Sequence, residues 1–317
     1  MLRTQGEEDR QDDDIQFPAY YDYKAFGFSI RSCIACPELT PYYCPAPDVS
    51  IRYGRVPDTL ESPLRKGVCF QAVPGIFLLI LKKIARYMVS EGKEIVIERI
   101  NGSEDTDLRL FLLGSVMGAL LYQRGFLPLH ASAIKTAQGT GVLFAGNSGV
   151  GKSTLAAAFQ KRGYPVLSDD ISAISTPNGS RPILHPGFPE LKLWPDAAKK
   201  LDESPEELPR ARRRTEKRSL QFHGAFDNAP SPIKHIYIMQ AANKPDFELI
   251  RLRGTEKIEE LLNYTYRMAF LGDFGKEAVH FKCCASLGAH AEISRVIRPM
   301  EDFRLDELAD LLEKDFA

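Results

Sequence analysis

The first third of the chain alternates short apolar runs with Gly- and Pro-containing breaks, and no helical period enters it before residue 108. Runs at 23–34, 49–53, 68–73, 75–80 and 94–98 read as β-strands. The pattern changes at 108–122, where Leu, Phe, Met and Ala recur at helical spacing and Gly125 follows as a stop. This predicts a buried helix bridging a β-rich N-terminal module to the rest of the chain. Gly141-Val-Leu-Phe-Ala145 is then a short, wholly apolar run, the pattern of a buried parallel strand. Residues 153–161 read as a helix whose Ala156, Ala157 and Ala158 allow close packing on a sheet, with Gly163 in the C-cap position. The next strand, 164–168, is expected beside the 141–145 strand and ends at Asp169-Asp170.

Farther along, 171–175 and 181–185 predict paired strands around the turn Pro177-Asn-Gly-Ser. A short helix starts at Asp196, and 235–240 with 247–252 predict a hairpin. Amphipathic helices are expected at 256–267 and 305–314, whereas Cys283-Cys284 reads as buried strand. No internal repeat is visible.

One loop carries a mechanism. Gly146-Asn147-Ser148-Gly149-Val150-Gly151-Lys152-Ser153, with Thr154 after it, is a complete phosphate-binding pattern between the apolar strand and the helix. Glycines let successive backbone N–H groups converge on phosphates, and the helix N-terminus adds partial positive charge. Lys152 is placed to reach the β- and γ-phosphates, and the Ser153 hydroxyl to bind the nucleotide's Mg²⁺. Asp169 and Asp170 arrive at a strand's C-terminal end, the edge at which open α/β sheets bind ligands. Strand, loop, helix, strand and acid in this order predict a nucleotide-binding domain.

Composition changes this picture little. The chain has 317 residues, long enough for two domains, with 44% hydrophobic and 26% charged residues and a net charge of -1. Near-neutral charge gives no reason to expect a nucleic acid or membrane partner. The longest uncharged apolar stretch, 110–123, falls short of the roughly 18 residues a span needs. Residues 1–16 are polar and acidic, which predicts a disordered tail rather than a secretory signal, and the expected location is cytoplasmic. The six cysteines are expected as free thiols. Cys33-Ile-Ala-Cys36 lies in strand-like sequence, and no second pair has zinc spacing. Arg210, Arg212, Arg213, Arg214, Lys217 and Arg218 cluster in a charged loop, readable first as a solvated mobile loop, next as a surface that receives an acidic substrate or closes over ATP, and last as a nucleic-acid contact.

Two motifs compete for attention. Asn243-Lys-Pro-Asp246 matches the guanine-selecting sequence of GTPases, yet no Asp-x-x-Gly switch follows Asp170, and the same four residues are ordinary turn chemistry. Asp273-Phe-Gly275 resembles the magnesium motif of eukaryotic protein kinases, but no His-Arg-Asp precedes it.

Leu129-His130-Ala-Ser-Ala, then Gly146 to Thr154, then Arg162-Gly163 and Leu167-Ser-Asp169-Asp170 resemble the catalytic domain of HPr kinase/phosphorylase. The surrounding chain is more similar to a divergent branch that includes kinases tailoring lasso-peptide precursors. The resemblance implies a P-loop serine kinase whose paired aspartates serve the hydroxyl and the metal. Carried onto this chain, Asp169 is the base and Asp170 a metal or hydroxyl partner, with exchange of the two left open. His130 matches the family histidine. The glycine-rich second signature associated with phosphorolysis has no counterpart, which points to a dedicated kinase. Glu190 lies at a comparable distance without the glycines. Lys192 and Arg267 are further cations that could assist.

The expected fold is therefore α/β, with an HPr kinase-like P-loop domain over 126–317 and a smaller β-rich α+β module over 17–125. The expected activity is ATP- and Mg²⁺-dependent phosphorylation of a serine on a protein or precursor peptide, and the family implies oligomers. A nucleotide-sensing binding module or a GTPase is the alternative.

Overall fold

The computed structural model describes residues 20–63, 65–211, 216–222 and 226–317. The acidic run at 1–16 and three arginines of the charged loop, Arg212, Arg213 and Arg214, lie outside them. The fold is mixed α/β, built on two large sheets.

The first sheet has nine strands among the described residues. They are β1 (Tyr21–Ala25), β2 (Phe28–Ser32), β3 (Thr40–Pro41), β4 (Val49–Tyr53), β5 (Arg65–Lys66), β6 (Phe70–Val73), β7 (Ile76–Leu81), β8 (Ala85–Ser90) and β9 (Glu94–Arg99). Their spatial order is β3-β1-β2-β4-β9-β8-β7-β6-β5. The apolar run 23–34 is not one strand: Phe26 and Gly27, both at positive φ, reverse it into the β1–β2 hairpin. The sequence reading also passed over β8, although buried Ala85, Tyr87 and Val89 alternate with half-buried neighbours.

The bridging helix forms as α1 (Asp105–Phe111), a π-helical turn (Leu112–Val116) and α2 (Met117–Gln123). Leu108, Leu112, Val116 and Leu120 are fully buried and share one core with Phe77, Tyr87 and Ile95 of the sheet. Phe270 and Phe274, from far along the chain, close that core against Phe77. The Phe of Asp-Phe-Gly275 is thus a packing residue.

The second sheet also has nine strands among the described residues. Its elements are β10 (Leu127–Leu129), β11 (Ala131–Lys135), β12 (Gly141–Gly146), β13 (Val166–Ser168), β14 (Ser172–Ser175) and β15 (Ile183–His185). After a separate ribbon of β16 (Glu190–Leu193) and β17 (Arg218–Gln221), it is completed by β18 (Ser231–Ala242), β19 (Glu248–Arg251) and β20 (Glu292–Pro299). β12, β18 and β20 run parallel at its centre. The helices are α3 (Lys152–Lys161), α4 (Pro195–Lys200), α5 (Thr255–Asn263), α6 (Glu277–His290) and α7 (Leu305–Phe316). α3 and α7 contribute to one core around Phe144 and Tyr237, α5 and α6 to another around Leu143 and Ile236. Arg162 ties α3 to α7 through Asp310 at 2.7 Å and Glu313 at 2.8 Å.

Three expectations are corrected here. The strands at 235–240 and 247–252 do not form a hairpin, because β20 lies between β18 and β19 and pairs with both. β13 is not beside β12: the short antiparallel β11 separates them. Cys283 and Cys284 sit on α6 rather than on a strand. Buried His280, Cys283, Cys284 and Leu287 follow the i, i+3, i+4, i+7 spacing of a helix face, a stripe masked by its weakly apolar residue types. All six cysteines are free, and burial pushes the Cys36 thiol up to about 12. Among the described residues, no helix is long and apolar enough to cross a membrane.

Candidate functional site

β12 is buried along its whole length and delivers the glycine-rich loop at its C-terminal end, with α3 starting at Lys152. Gly146, Gly149 and Gly151 all have positive φ. Two of them also have no room for a side chain. A Cβ on Gly146 would lie 2.6 Å from the Met239 carbonyl oxygen, and one on Gly151 would lie 2.9 Å from the Phe303 ring. Only glycine satisfies both demands, so the loop can turn tightly and expose backbone N–H groups at the helix start.

Lys152 is nearly buried. Its ammonium donates to the carbonyls of Gly146 at 2.8 Å and Asn147 at 3.0 Å, and lies 3.2 Å from His130 Nε2. An ammonium only donates, so Nε2 is the acceptor and the ring proton sits on Nδ1. That proton faces the Asp170 carbonyl oxygen at 3.0 Å. Each partner thus dictates one side of the imidazole. Burial, then Lys152, holds the His130 pKa below its ordinary value, in keeping with a neutral ring.

The two adjacent aspartates are in different surroundings. Asp169 is buried, and its Oδ1 accepts from Ser153 Oγ at 2.9 Å and Ser132 Oγ at 2.5 Å, while Oδ2 accepts from the Lys192 N–H at 2.9 Å. Asp170 is 37% exposed and faces the cleft. Its φ is +67, and Ile171 N–H bonds back to the Asp169 carbonyl at 2.8 Å. This closed three-residue turn, not the alternation of a strand, sends the two side chains apart. Burial presses the Asp170 carboxyl upward, but Lys192, then His130, Lys217 and Lys152, outweigh it and hold the pKa below the usual range. A left-handed aspartate held this way is a local strain that the surroundings maintain.

Lys192 is largely buried, with Nζ 3.7 Å from Glu190 and 3.9 Å from Asp170. Burial lowers its affinity for a proton, yet Glu190, Asp170 and Asp169 outweigh that and raise its pKa. Glu190 is buried and accepts from Ser219 Oγ at 2.6 Å, so it anchors Lys192 rather than facing the cleft. Arg267 is not on the helix expected at 256–267, which ends at Asn263. It is an exposed residue at φ +51 with its guanidinium over the Tyr266 ring.

The cleft brings together His130, Ser148, Gly149, Gly151 to Thr154, Asp169, Asp170 and Lys192. Asn147, Ser148 and Val150 line its other flank with Arg298. Arg298 and Phe303 were not foreseen. Arg298 is buried, donates to the Val150 carbonyl at 3.0 Å, and stacks over Phe303 at 4.5 Å. It pins the loop from 148 residues away in sequence, and no local motif marks it. Trp194 and Lys217 complete the opposite wall.

Mg²⁺ fits the donor set but needs a second source of ligands. Among the described residues, no cluster of three or more His, Cys, Asp or Glu could hold a metal. Mg²⁺ ordinarily takes one or two protein oxygens together with substrate phosphates and waters. Ser153 supplies such an oxygen, since giving its proton to Asp169 leaves its lone pairs for a cation. The sequence reading put Asp170 beside Ser153 at the metal; in the structure the Ser153 partner is Asp169.

Asn243-Lys-Pro-Asp246 follows β18 and so lies at the same sheet edge as the loop, nearer the cleft than a remote hairpin turn would be. Asp246, however, is 84% exposed, pairs with Arg304 at 3.6 Å and does not line the cleft. Asp246→Ala is therefore expected to leave the ATP-to-GTP affinity ratio unchanged. A GTP preference that collapses in this variant, measured by competition titration, would establish a guanine site.

The Lys152 environment predicts a pH dependence. Burial pushes its pKa down to about 8, despite the nearby Asp169 and Asp170. The ammonium is present below that value and lost as pH rises through it. Nucleotide affinity is expected to be flat from pH 6 to 7 and to fall about tenfold by pH 9. Calorimetric titration in two buffers of different ionisation enthalpy should show net proton uptake on binding near pH 8.5. Constant affinity across this range would rule out Lys152 as a phosphate ligand.

No protein-family model matches the chain, and no curated protein matches it. Among solved structures, the chain is similar to the Hpr(Ser) kinase/phosphatase from Coxiella burnetii. The identity is 13%, with 59% of this chain and 89% of that chain covered and a TM-score of 0.33. A likeness at that level carries no weight for function, which rests on the groups of the site itself.

Proposed function

We propose that the chain is an ATP- and Mg²⁺-dependent kinase of HPr kinase-like type. In this reading it transfers the γ-phosphoryl group to a serine hydroxyl of a protein or peptide, with a ribosomally made precursor of the lasso type as the leading substrate. The observation that carries the reading is the division of labour between the paired acids. Asp169 is engaged by Ser153, Ser132 and the Lys192 backbone, whereas Asp170 is held open to the cleft beside His130. Serine and peptide specificity are supported by the resemblance of residues 129–170 alone.

Phosphoryl transfer needs alignment and charge neutralisation more than covalent help. Backbone N–H groups of the glycine loop and the Lys152 ammonium hold the phosphates. Ser153, backed by Asp169, would hold Mg²⁺, which neutralises charge on the β- and γ-phosphates when bound. Asp170 accepts the proton of the acceptor hydroxyl as its oxygen bonds to the γ-phosphorus and the bond to the β–γ bridging oxygen breaks, leaving ADP. His130 fixes Asp170 through its backbone carbonyl and steadies Lys152 from the other ring nitrogen. The geometry thus favours the exchanged assignment, with Asp170 as base and Asp169 on the metal side.

A nucleotide-sensing module would need only Ser153 and Asp169. The strained, cleft-facing Asp170 has no task there, which favours the enzyme. Incubation with γ-labelled ATP, Mg²⁺ and serine-containing peptides, read by mass spectrometry, tests the reading. Label released solely as free phosphate in the presence of every peptide would replace the kinase with a hydrolase or sensor.

A further inference from the structure

The cleft is longer than its phosphate end. β13 and β20 both finish at the sheet edge where β12 delivers the glycine-rich loop, β13 two strands to one side and β20 two strands to the other. One cavity spans that distance, from His130 and Asp170 past the loop to Arg298, Met300 and Phe303. α4 forms the facing wall. Trp194, just before its first residue, and Lys200, its last, both line the cavity, and Lys200 Nζ lies 5.7 Å over the Phe303 ring.

The reaction gives this cleft a direction. In-line displacement puts the leaving ADP opposite the acceptor hydroxyl. With the hydroxyl at Asp170 and the β- and γ-phosphates at Lys152 and Ser153, the nucleoside is directed away from Asp170, past Thr154 and toward the end of β20. A side cavity against Val150, Met239 and Tyr264 is the other place a base could reach. Neither Lys152 nor Ser153 lines it, so the phosphate path does not continue there.

The lining changes character at the β20 end. Met300 is 59% exposed and Phe303 half-buried, an apolar lip on an otherwise polar cleft. The lip is held firmly. The Arg298 guanidinium lies 4.5 Å from the Phe303 centroid, and the Gly151 backbone abuts the ring so closely that a Cβ there would lie 2.9 Å away. Arg298 also donates to the carbonyls of Val150 at 3.0 Å and Pro299 at 2.7 Å, and the Met300 N–H donates to the Ala242 carbonyl at 3.0 Å. The turn is thus fixed both to the phosphate loop and to β18, so little order need be gained on binding. A thioether and an aromatic ring are groups on which a flat heterocycle packs well.

We propose that Met300 and Phe303 form the subsite for the base and ribose of the nucleotide, and that Arg298 ties this subsite to the phosphate loop. The direction of the nucleotide rests on the kinase reading; the test needs only binding. The full chain is titrated calorimetrically with Mg²⁺-ADP and with Mg²⁺-pyrophosphate, which offers two phosphates without a nucleoside. Phe303→Ala is expected to weaken ADP about tenfold while pyrophosphate changes less than about twofold. Met300→Ala, at an exposed position that leaves the fold intact, should weaken ADP alone by about threefold. Photolabelling of the unaltered chain with 8-azido-ADP, mapped by mass spectrometry, should mark residues 298–303. Equal losses of ADP and pyrophosphate in Phe303→Ala would mean that the ring serves only the loop, and would overturn the base subsite. Unchanged ADP affinity in Met300→Ala together with label confined to residues 239–241 and 264 would overturn it as well, whether or not Phe303→Ala folds. Selective loss of ADP in a chain that transfers phosphate to no peptide keeps the subsite and overturns the kinase. Transfer whose KM for ATP is unmoved in both variants keeps the kinase and overturns the subsite.

Discussion

Asp170→Asn is expected to keep ATP affinity within a few fold while phosphoryl transfer falls by roughly 10²–10⁴, the scale of a lost general base. The side chain is part-exposed and lies 3.3 Å from His130 and 3.9 Å from Lys192, so the amide can occupy the same space. The His130 hydrogen bond to the Asp170 backbone carbonyl survives as well. Asp169→Asn should behave differently. Asp169 accepts from two hydroxyls and one backbone N–H, and an amide nitrogen in either oxygen position would face a donor. Its expected phenotype is weaker Mg²⁺-dependent nucleotide binding together with a lower melting temperature. Titration of ATP with and without Mg²⁺, alongside single-turnover transfer rates, separates the two variants. If Asp169→Asn keeps Mg²⁺-ATP affinity and loses only rate, the roles revert to those the sequence resemblance implied. Full activity in both variants would remove the catalytic reading altogether.

Lys152→Ala is expected to lower nucleotide-dependent turnover by roughly 10²–10³, the cost of one preorganised charge-stabilising donor. The structure adds a complication that the motif does not reveal. Lys152 is nearly buried and bonded to the Gly146 and Asn147 carbonyls, so it also holds the loop closed before any phosphate arrives. Removing it leaves both carbonyls without that donor and His130 Nε2 without its partner. Some loss of loop order should therefore accompany the loss of activity, visible as faster amide exchange confined to residues near 146–152. Lys152→Met, which keeps most of the side-chain bulk, should restore packing but not turnover. Unchanged ATP turnover in either folded variant would refute the site.

The chemistry of the loop was legible in the sequence because it is local. A strand, three glycines, a lysine, a serine and a helix are consecutive, and each glycine's positive φ is a property of its own residue. The bridging helix was legible for a similar reason, since its apolar spacing continues through the π-helical turn even though that turn is not itself marked. The same holds for the β14–β15 pair, whose turn residues lie between its strands.

What needed the tertiary structure was everything decided by neighbours distant in sequence. Whether β18 pairs with β19 or with β20 depends on which strand can lie inside the sheet: mostly buried β20 sits beside β18, and the more exposed β19 takes the edge. The division between Asp169 and Asp170 depends on Ser132, Ser153 and Lys192 around one acid and His130 beside the other. Lys192 reads as an ordinary strand lysine until Glu190 and Asp170 are seen to neutralise it in a nearly closed site. Arg298 carries no motif at all, because its task is to reach back to the Val150 carbonyl from the last strand. Backbone conformation and periodicity are written in short stretches of residues, and they specified the elements and the phosphate loop. Pairing, burial and charge balance arise only when the stretches meet, and they decided which acid faces the cleft.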